Sequence, residues 1–139
     1  MRTAAALERF GGDEAARAAY EELCASFFAG ELVKPDSFLH SFVALVDGVI
    51  AGAATLSVVP TLPRFGQAFA GRDGRIRDVY VVPAYRRSGI ARALMKTVLA
   101  EASAVGLDRL ALGTSEMGRP LYESIGFVLK DDEMVFEGL

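Results

Sequence analysis

The chain has 139 residues, the length of one domain, and its composition of 52% hydrophobic and 24% charged residues favours a folded globular protein over a disordered one. Its net charge of −3 argues against nucleic-acid binding, which needs a broad basic surface. The single cysteine, Cys24, excludes an internal disulfide and a cysteine-based zinc cluster. We expect one cytoplasmic domain over residues 1–139, with no metal, no membrane segment and no nucleic-acid partner.

The first part of the chain predicts one helix between less regular segments. Residues 2–9 are interpreted as a short edge strand, although their alanines weaken that pattern. Asp13 has the position of a helix cap, and apolar residues recur after it at helical spacing until Gly30. The segment 34–40 predicts a turn or a short second helix.

A hairpin and a long loop are predicted next. Asp47-Gly48 separates the apolar runs 42–46 and 49–59, and this pair readily adopts the positive φ angles of a two-residue hairpin turn. Residues 60–74 contain several prolines and glycines and predict a loop. Loops of this length in a compact domain are often functional.

The following segment predicts a strand, a crossover helix and a second strand. Residues 75–82 form the first strand, and a helical apolar period then extends from Gly89 to Gly106. Residues 107–112 form the second strand. Two strands joined by a helix in this way form a right-handed parallel unit.

The carboxy-terminal segment predicts a short helix that ends at Gly126. Two brief strands, 127–130 and 134–136, are predicted about a turn at Asp131-Asp132. No internal repeat or linker interrupts the chain, which supports the prediction of a single domain.

The turn between the predicted strand and helix, VPAYRRSGIAR, combines positive charge with small residues. The start of a helix presents unpaired N–H groups and the positive end of the helix dipole, so it attracts phosphate. Gly89 lacks the Cβ that would keep the backbone away from an anion, and Ser88 supplies a hydroxyl. Arg86, Arg87 and Arg92 add charge. The pattern predicts a pyrophosphate site, with a solvated, serine-capped turn as the plainer alternative.

Two motifs resemble those of the GCN5-related N-acetyltransferase (GNAT) superfamily. The first is the sequence from Val81 to Ala91, in which Arg-x-x-Gly-x-Ala follows a strand that ends in Val-x-Pro-x-Tyr. The second, LYESIGF from Leu121 to Phe127, is similar to the superfamily's Leu-Tyr-x-x-x-Gly-Phe element. Both motifs occur in the order that the superfamily has, so the resemblance is specific from about Arg75 to Phe127.

The resemblance implies a single α/β (α+β) domain with a mixed, mostly antiparallel sheet, a central splayed parallel strand pair and flanking helices. It implies acetyl-CoA as the acetyl donor, bound in the cleft between the two splayed strands. Pantetheine would then pair with the backbone of Val79, Tyr80 and Val81. The residues implied for the pyrophosphate are Arg86, Arg87, Ser88, Gly89, Ile90, Ala91 and Arg92.

Two further residues match family positions by their place in the sequence. Tyr122 matches the tyrosine proposed as general acid for the leaving thiolate or as a donor that positions the sulfur, with simple packing in the last helix as the alternative. Ser115 falls where many relatives have an asparagine that contacts CoA, and a helix-cap role is equally open.

The general base is missing from its usual place. Relatives often carry Glu or His at the positions that match Arg75 and Arg77, and a guanidinium accepts no proton at neutral pH. Asp78 qualifies if the strand bulges there, as it often does in the family. The acceptor could also lose its proton to His40 or to a relayed water, or it could bind as an already neutral amine.

Arg75 and Arg77 suggest a different role, the recognition of an anionic acceptor, because guanidinium groups hold carboxylates and phosphates by paired hydrogen bonds. A solvated strand pair that balances nearby acids is the alternative. The predicted reaction is direct acetyl transfer to a primary amine of a small molecule or peptide. Transfer of a longer acyl group, or a CoA-binding sensor or interaction module without turnover, are the rival hypotheses. Exposed strand edges also suggest a homodimer.

Overall fold

The structure, a computed structural model, describes residues 1–130 and 132–138. Over these ranges the chain forms eight helices and strands and one short 3-10 turn at Pro83–Tyr85. In chain order they are α1 (Arg2–Phe10), α2 (Glu14–Glu31), β1 (Leu39–Val46), β2 (Val49–Pro60), β3 (Arg72–Val81), α3 (Ile90–Val105), β4 (Arg109–Leu112) and α4 (Arg119–Ser124).

The strands form one mixed sheet in the order β1-β2-β3-β4. β2 pairs antiparallel with both β1 and β3, whereas β3 and β4 are parallel and are connected by α3. The predicted α+β fold class is confirmed. The parallel pair lies at one end of the described sheet and not at its centre, because residues 127–130 and 132–138 form no strand beyond β4.

The hydrophobic core lies between the sheet and α3. Leu56 of β2 and Met95 of α3 are fully buried at its centre, and Ile76 of β3 is nearly so. α3 faces the sheet with the apolar stripe that its helical period predicts. The members of this stripe are Ile90, Leu94, Val98 and Ala102.

The hairpin and the first long helix form where the sequence predicts them. Asp47 and Gly48 have φ angles of 49° and 79°, as a two-residue turn between twisted strands requires. The carboxylate of Asp13 accepts a 2.8 Å hydrogen bond from the N–H of Ala16 and so caps α2. This helix ends at Glu31, one residue beyond the predicted stop at Gly30.

The loop before β3 is fixed at its base by Asp108. The carboxylate of Asp108 accepts N–H groups of Ala70, Gly71 and Arg72 at 2.7, 2.8 and 3.1 Å. These bonds, led by the one from Ala70, lower the pKa of Asp108, so the carboxylate is charged at neutral pH. Because Asp108 immediately precedes β4, the three bonds hold the starts of β3 and β4 side by side.

The predicted strand over residues 2–9 is wrong, because this segment is helix α1. Alanine has the highest intrinsic helix propensity, and the helix docks on β3 through an ion pair between Arg2 and Asp78. The segment 34–40 contains a turn and no helix, and its last two residues, Leu39 and His40, already belong to β1.

The predicted strands over 127–130 and 134–136 are also wrong, since these residues have no regular structure. Alternating apolar residues show which face a strand would bury, but a strand forms only where a partner strand accepts its hydrogen bonds. The turn predicted at Asp131-Asp132 lies partly outside the described residues. None of the described helices has the length and apolar character of a membrane span.

Candidate functional site

β3 changes its partners along its length, which leaves a free edge. It pairs with β4 only from Asp73 to Ile76, while its pairing with β2 continues to Val81. The register with β2 shifts between Ala53 and Thr55, opposite Asp78. Asp78 has a φ of 57°, so β3 contains a bulge at this position, as the resemblance implied.

Beyond the bulge, the segment predicted for pantetheine pairs with none of the described residues on its β4 side. Val79 and Val81 pack against the core, whereas Tyr80 turns its hydroxyl toward α1 and donates a 3.1 Å hydrogen bond to Glu8. Free backbone groups at such an edge need hydrogen-bonding partners. The geometry therefore suits an extended ligand that lies along this stretch of β3.

The turn that follows β3 brings the predicted pyrophosphate residues to the start of α3. Arg87 and Gly89 have φ angles of 63° and 83°, and Gly89 is the N-cap of α3. No side chain of the described residues caps the helix, and the hydroxyl of Ser88 donates to the carbonyl of Tyr85. A Cβ built at Gly89 meets no atom within 4 Å, so there is open space for an anion in front of the helix.

The three arginines of this turn differ in their contacts. The guanidinium of Arg86 donates two hydrogen bonds. One, of 2.9 Å, runs from Nε to the Val81 carbonyl, and the other, of 2.7 Å, runs from Nη2 to the Glu8 carboxylate. Arg92 donates to the hydroxyl of Ser124 in α4 at 3.0 Å. Arg87 is exposed and makes no hydrogen bond or ion pair with any described residue, so its side chain is available to an anion. Ile90 and Ala91 are half-buried in the first turn of α3.

Tyr122 lies in α4 with a half-buried ring that meets Phe127 edge-on at 6.2 Å between ring centroids. Burial raises the pKa of its phenol above the usual value of 10.0. Its hydroxyl makes no hydrogen bond with a described residue. The phenol therefore carries its proton at neutral pH and has an unused donor.

Ser115 and Tyr122 both lie beside Gly118. A Cβ on Gly118 would lie 3.0 Å from Cε2 of Tyr122 and 3.5 Å from Oγ of Ser115. The hydroxyl of Ser115 accepts the N–H of Gly118 at 3.2 Å. This bond closes the turn before α4, whose N-cap Gly118 has no side-chain cap, so the helix-cap alternative is not formed and the hydroxyl proton of Ser115 is available to a ligand.

Arg75 and Arg77 lie on β3 without an acidic partner among the described residues. A Cβ on Gly113, just after β4, would lie 3.8 Å from Nη2 of Arg75, so this guanidinium reaches the point where the two strands separate. Arg77 is exposed. The ion pair that would balance Arg77 is not formed, because Asp78 pairs with Arg2.

The candidate bases are both engaged elsewhere. The carboxylate of Asp78 is neutralised by Arg2, which also donates a 2.9 Å hydrogen bond to the hydroxyl of Tyr20. The ring of His40 is held by Glu101 of α3 at 2.7 Å. Glu101 contacts only Nδ1 of His40, but His40 lies on β1, which β2 separates from β3. The neutralised Asp78 and the position of His40 therefore favour a water molecule as the base, or an acceptor amine that arrives neutral.

Sequence reasoning missed the contribution of α1 to this region. Glu8 contacts Tyr80 and Arg86, which are 72 and 78 residues away along the chain. No local pattern signals such a contact. The alanines of residues 4–6 were the one available signal, since they favour a helix in a segment interpreted as a strand.

The comparison with known families identifies the family of this chain. The profile of the acetyltransferase (GNAT) family matches residues 4–127. The chain belongs to the acetyltransferase (GNAT) family. This family match includes most of α1, the free edge of β3, the turn before α3 and Tyr122.

Similar proteins agree with this GNAT assignment. The chain is 34% identical over 87 residues to glucosamine 6-phosphate N-acetyltransferase of Trypanosoma brucei brucei, which covers 63% of this chain and 56% of that protein. This chain spans little more than half the length of the curated relatives that it matches. The GCN5-related N-acetyltransferase from Ralstonia eutropha JMP134 has a similar structure, with a TM-score of 0.79 and 26% identity over 96% of this chain and 86% of that one.

A further solved structure shares the fold alone. It is a predicted acetyltransferase with acetyl-CoA from Clostridium acetobutylicum, with a TM-score of 0.73 and 24% identity over 84% of this chain and 73% of that one. Fold neighbours of this GNAT chain thus include a protein that contains acetyl-CoA.

Proposed function

We propose that this protein is an acetyl-CoA-dependent N-acetyltransferase that moves an acetyl group by direct transfer to a primary amine of a small molecule that bears an anionic group. The observation that carries the proposal is the free edge of β3 from Arg77 to Val81, which runs into an uncapped start of α3. Family membership supplies the reaction class. A peptide amine is the alternative acceptor.

The described residues fit acetyl-CoA in three ways. The backbone of Val79–Val81 pairs with no described strand on the β4 side and is predicted to bind the amides of pantetheine, and within it the carbonyl of Val81 also accepts a hydrogen bond from Arg86. Gly89 leaves open space before α3, and Arg87 has an unoccupied guanidinium for the pyrophosphate. Arg86 and Arg92 are predicted to support the same site, with Ser88, Ile90, Ala91 and Ser115.

Acetyl-CoA, when bound, supplies the acetyl group as a thioester. Tyr122 holds a proton on its phenol oxygen, and its raised pKa keeps that proton in place at neutral pH. We assign this proton to the thiol that leaves. The amine binds neutral or loses its proton to water, because Asp78 is neutralised by Arg2 and His40 lies on β1, which β2 separates from β3.

The acceptor class follows from Arg75 and Arg77. These two cations share one strand beside the cleft and have no acidic partner among the described residues, in a protein whose net charge is −3. A phosphate or carboxylate on the acceptor would supply the missing countercharge. The glucosamine 6-phosphate N-acetyltransferase of Trypanosoma brucei brucei is named for such an amine, an amino sugar that carries a phosphate.

A matched pair of acceptors tests this assignment. Glucosamine 6-phosphate and glucosamine share the amine and differ in the anion, so we expect thiol release from acetyl-CoA with a clear preference for the phosphorylated sugar. Arg77→Gln and Arg75→Gln should each raise the KM for the phosphorylated sugar about tenfold and leave that for glucosamine within about twofold.

Arg72→Gln is the control, since Arg72 is an exposed arginine at the other end of the same strand. Equal KM values for both sugars in the wild-type protein and in the Arg75 and Arg77 variants would overturn the anionic acceptor. Turnover of a peptide amine but of neither sugar would overturn the small-molecule acceptor and support a peptide as the acceptor.

A further inference from the structure

The guanidinium of Arg86 is held on three sides. It donates to the carbonyl of Val81, it donates to Oε2 of Glu8, and its central carbon lies 5.5 Å from the centre of the Tyr80 ring. The hydroxyl of Tyr80 donates to the same oxygen of Glu8. Glu8 therefore closes a ring of contacts around Arg86, defined here as the Glu8 clamp: Glu8, Tyr80, Val81 and Arg86.

The Glu8 clamp joins three parts of the chain that are separate in sequence. Val81 is the last residue of β3, Arg86 begins the turn that carries Arg87 and Gly89, and Glu8 belongs to α1. A fixed Arg86 sets the direction in which the turn leaves the strand. The hydrogen bond from Arg86 lowers the pKa of Glu8, so the clamp contains a charged carboxylate at neutral pH.

We propose that Glu8 is a positioning residue for acetyl-CoA binding, which acts through Arg86 to hold the turn of residues 86–89 in the shape that receives the pyrophosphate. The inference rests on the proposed function, because it assumes that this turn binds the cofactor. It gives α1 a role in cofactor binding even though no residue of α1 belongs to either sequence motif.

An opposite role for Glu8 is also testable. If Arg86 bound the pyrophosphate directly, the carboxylate of Glu8 would compete with it, and removal of the charge would tighten binding. The geometry favours positioning, because Arg86 is already bonded to the backbone of Val81, while Arg87 beside it is exposed and unoccupied.

A double-mutant cycle tests the proposal with CoA as the probe. Isothermal titration calorimetry gives the Kd for CoA of the wild-type protein, Glu8→Gln, Arg86→Gln and the double variant. Glu8→Gln should raise the Kd about threefold to tenfold, as expected for loss of a partly exposed charged contact. The double variant should match Arg86→Gln alone, because Glu8 acts only through Arg86.

Steady-state kinetics separate positioning from a general loss of structure. Glu8→Gln should raise the KM for acetyl-CoA by the same factor as the Kd and leave kcat within about twofold. Glu22→Gln is the matched control, since Glu22 is an exposed glutamate of α2 that makes no hydrogen bond or ion pair with a described residue. Tyr80→Phe is a second variant, which removes one donor to Glu8 and should raise the Kd less.

The outcomes distinguish this inference from the proposed function. A wild-type protein that does not bind CoA would overturn the proposed function itself. A wild-type protein that binds CoA, together with a Glu8→Gln variant of equal or tighter affinity, would overturn only the role of Glu8. Additive effects of Glu8→Gln and Arg86→Gln would show that Glu8 does not act through Arg86.

Discussion

Tyr122 combines a packed ring with a hydroxyl that no described residue engages. The edge-on contact with Phe127 and the burial of the ring fix its position, and the backbone carbonyl of Tyr122 accepts the N–H of Phe127 at 3.0 Å. A phenol held in this way and left without a protein partner for its hydroxyl is suited to serve a ligand.

Removal of that hydroxyl should affect chemistry more than binding. Tyr122→Phe keeps the ring and its contact with Phe127, so we expect stability and the Kd for CoA to be nearly unchanged. If the phenol protonates the leaving thiolate, kcat should fall about a hundredfold. The check is to measure kcat and the Kd for CoA in the wild-type protein and in the variant. A rise in Kd by the same factor as the fall in kcat would instead indicate that Tyr122 positions the cofactor.

The pH profile gives a second readout for the same residue. Burial raises the pKa of Tyr122, so the protonated donor persists to a pH above 10.0 and its loss at higher pH should lower kcat in the wild-type protein. This alkaline decline should be absent in Tyr122→Phe. A decline of equal size in the variant would assign it to another group.

At the residue scale, the sequence predicted where a residue lies along a helix, strand or turn better than it predicted which distant side chain that residue contacts. The change of apolar period at Gly89 predicted the start of α3, and the structure begins this helix at Ile90 with Gly89 as its N-cap. Arg86, by contrast, bonds to α1, and Asp78 pairs with Arg2, which is 76 residues away along the chain. Such partners depend on how distant segments pack, so a local pattern does not reveal them.

Gly52 of β2 lies close to both β3 and α3. A Cβ at Gly52 would lie 2.8 Å from the carbonyl oxygen of Tyr80 and 3.2 Å from Cγ2 of Ile90. The first of these atoms belongs to the backbone and has no rotamer to relieve the contact. The absence of a side chain at Gly52 therefore sets the spacing between β2, the free segment of β3 and the first turn of α3.

Gly52→Ala should therefore separate these elements and destabilise the fold. We expect a loss of about 1–3 kcal/mol in the free energy of unfolding, together with weaker CoA binding. Gly30→Ala is the control, because a Cβ at this exposed position in α2 meets no atom within 4 Å. It should stabilise the protein by roughly 0.5–1 kcal/mol. Denaturant unfolding measures both, and a Gly52→Ala variant as stable as the wild type would contradict the close approach.

The elements that the sequence predicted correctly are those with a strong local signal. Asp47-Gly48 determined the hairpin, and the period of α3 determined its buried stripe. The three predicted strands that were wrong, 2–9, 127–130 and 134–136, have short and weak patterns. Their structure depends on whether a strand partner or a helix-docking surface exists elsewhere in the fold, which local periodicity does not report.

The whole molecule has an acidic net charge of −3, yet part of its positive charge is concentrated along β3 and the turn that follows it. Arg75, Arg77 and Arg87 have no acidic partner within the described residues, while Arg86 is neutralised by Glu8. This distribution places available cations along the proposed path of the cofactor and the acceptor. It is the local concentration of charge that the proposed phosphate site needs in a protein of acidic net charge.

The most direct test of the proposed activity is amine-dependent thiol release from acetyl-CoA, measured for the purified protein over a panel of primary amines with and without anionic groups. We expect release that requires an amine, yields one thiol for each acetylated amine and is fastest with an anionic acceptor. A protein that binds CoA but whose thiol release stays at the amine-free rate for every amine would contradict the proposed activity, and would identify the chain as a CoA-binding module without turnover.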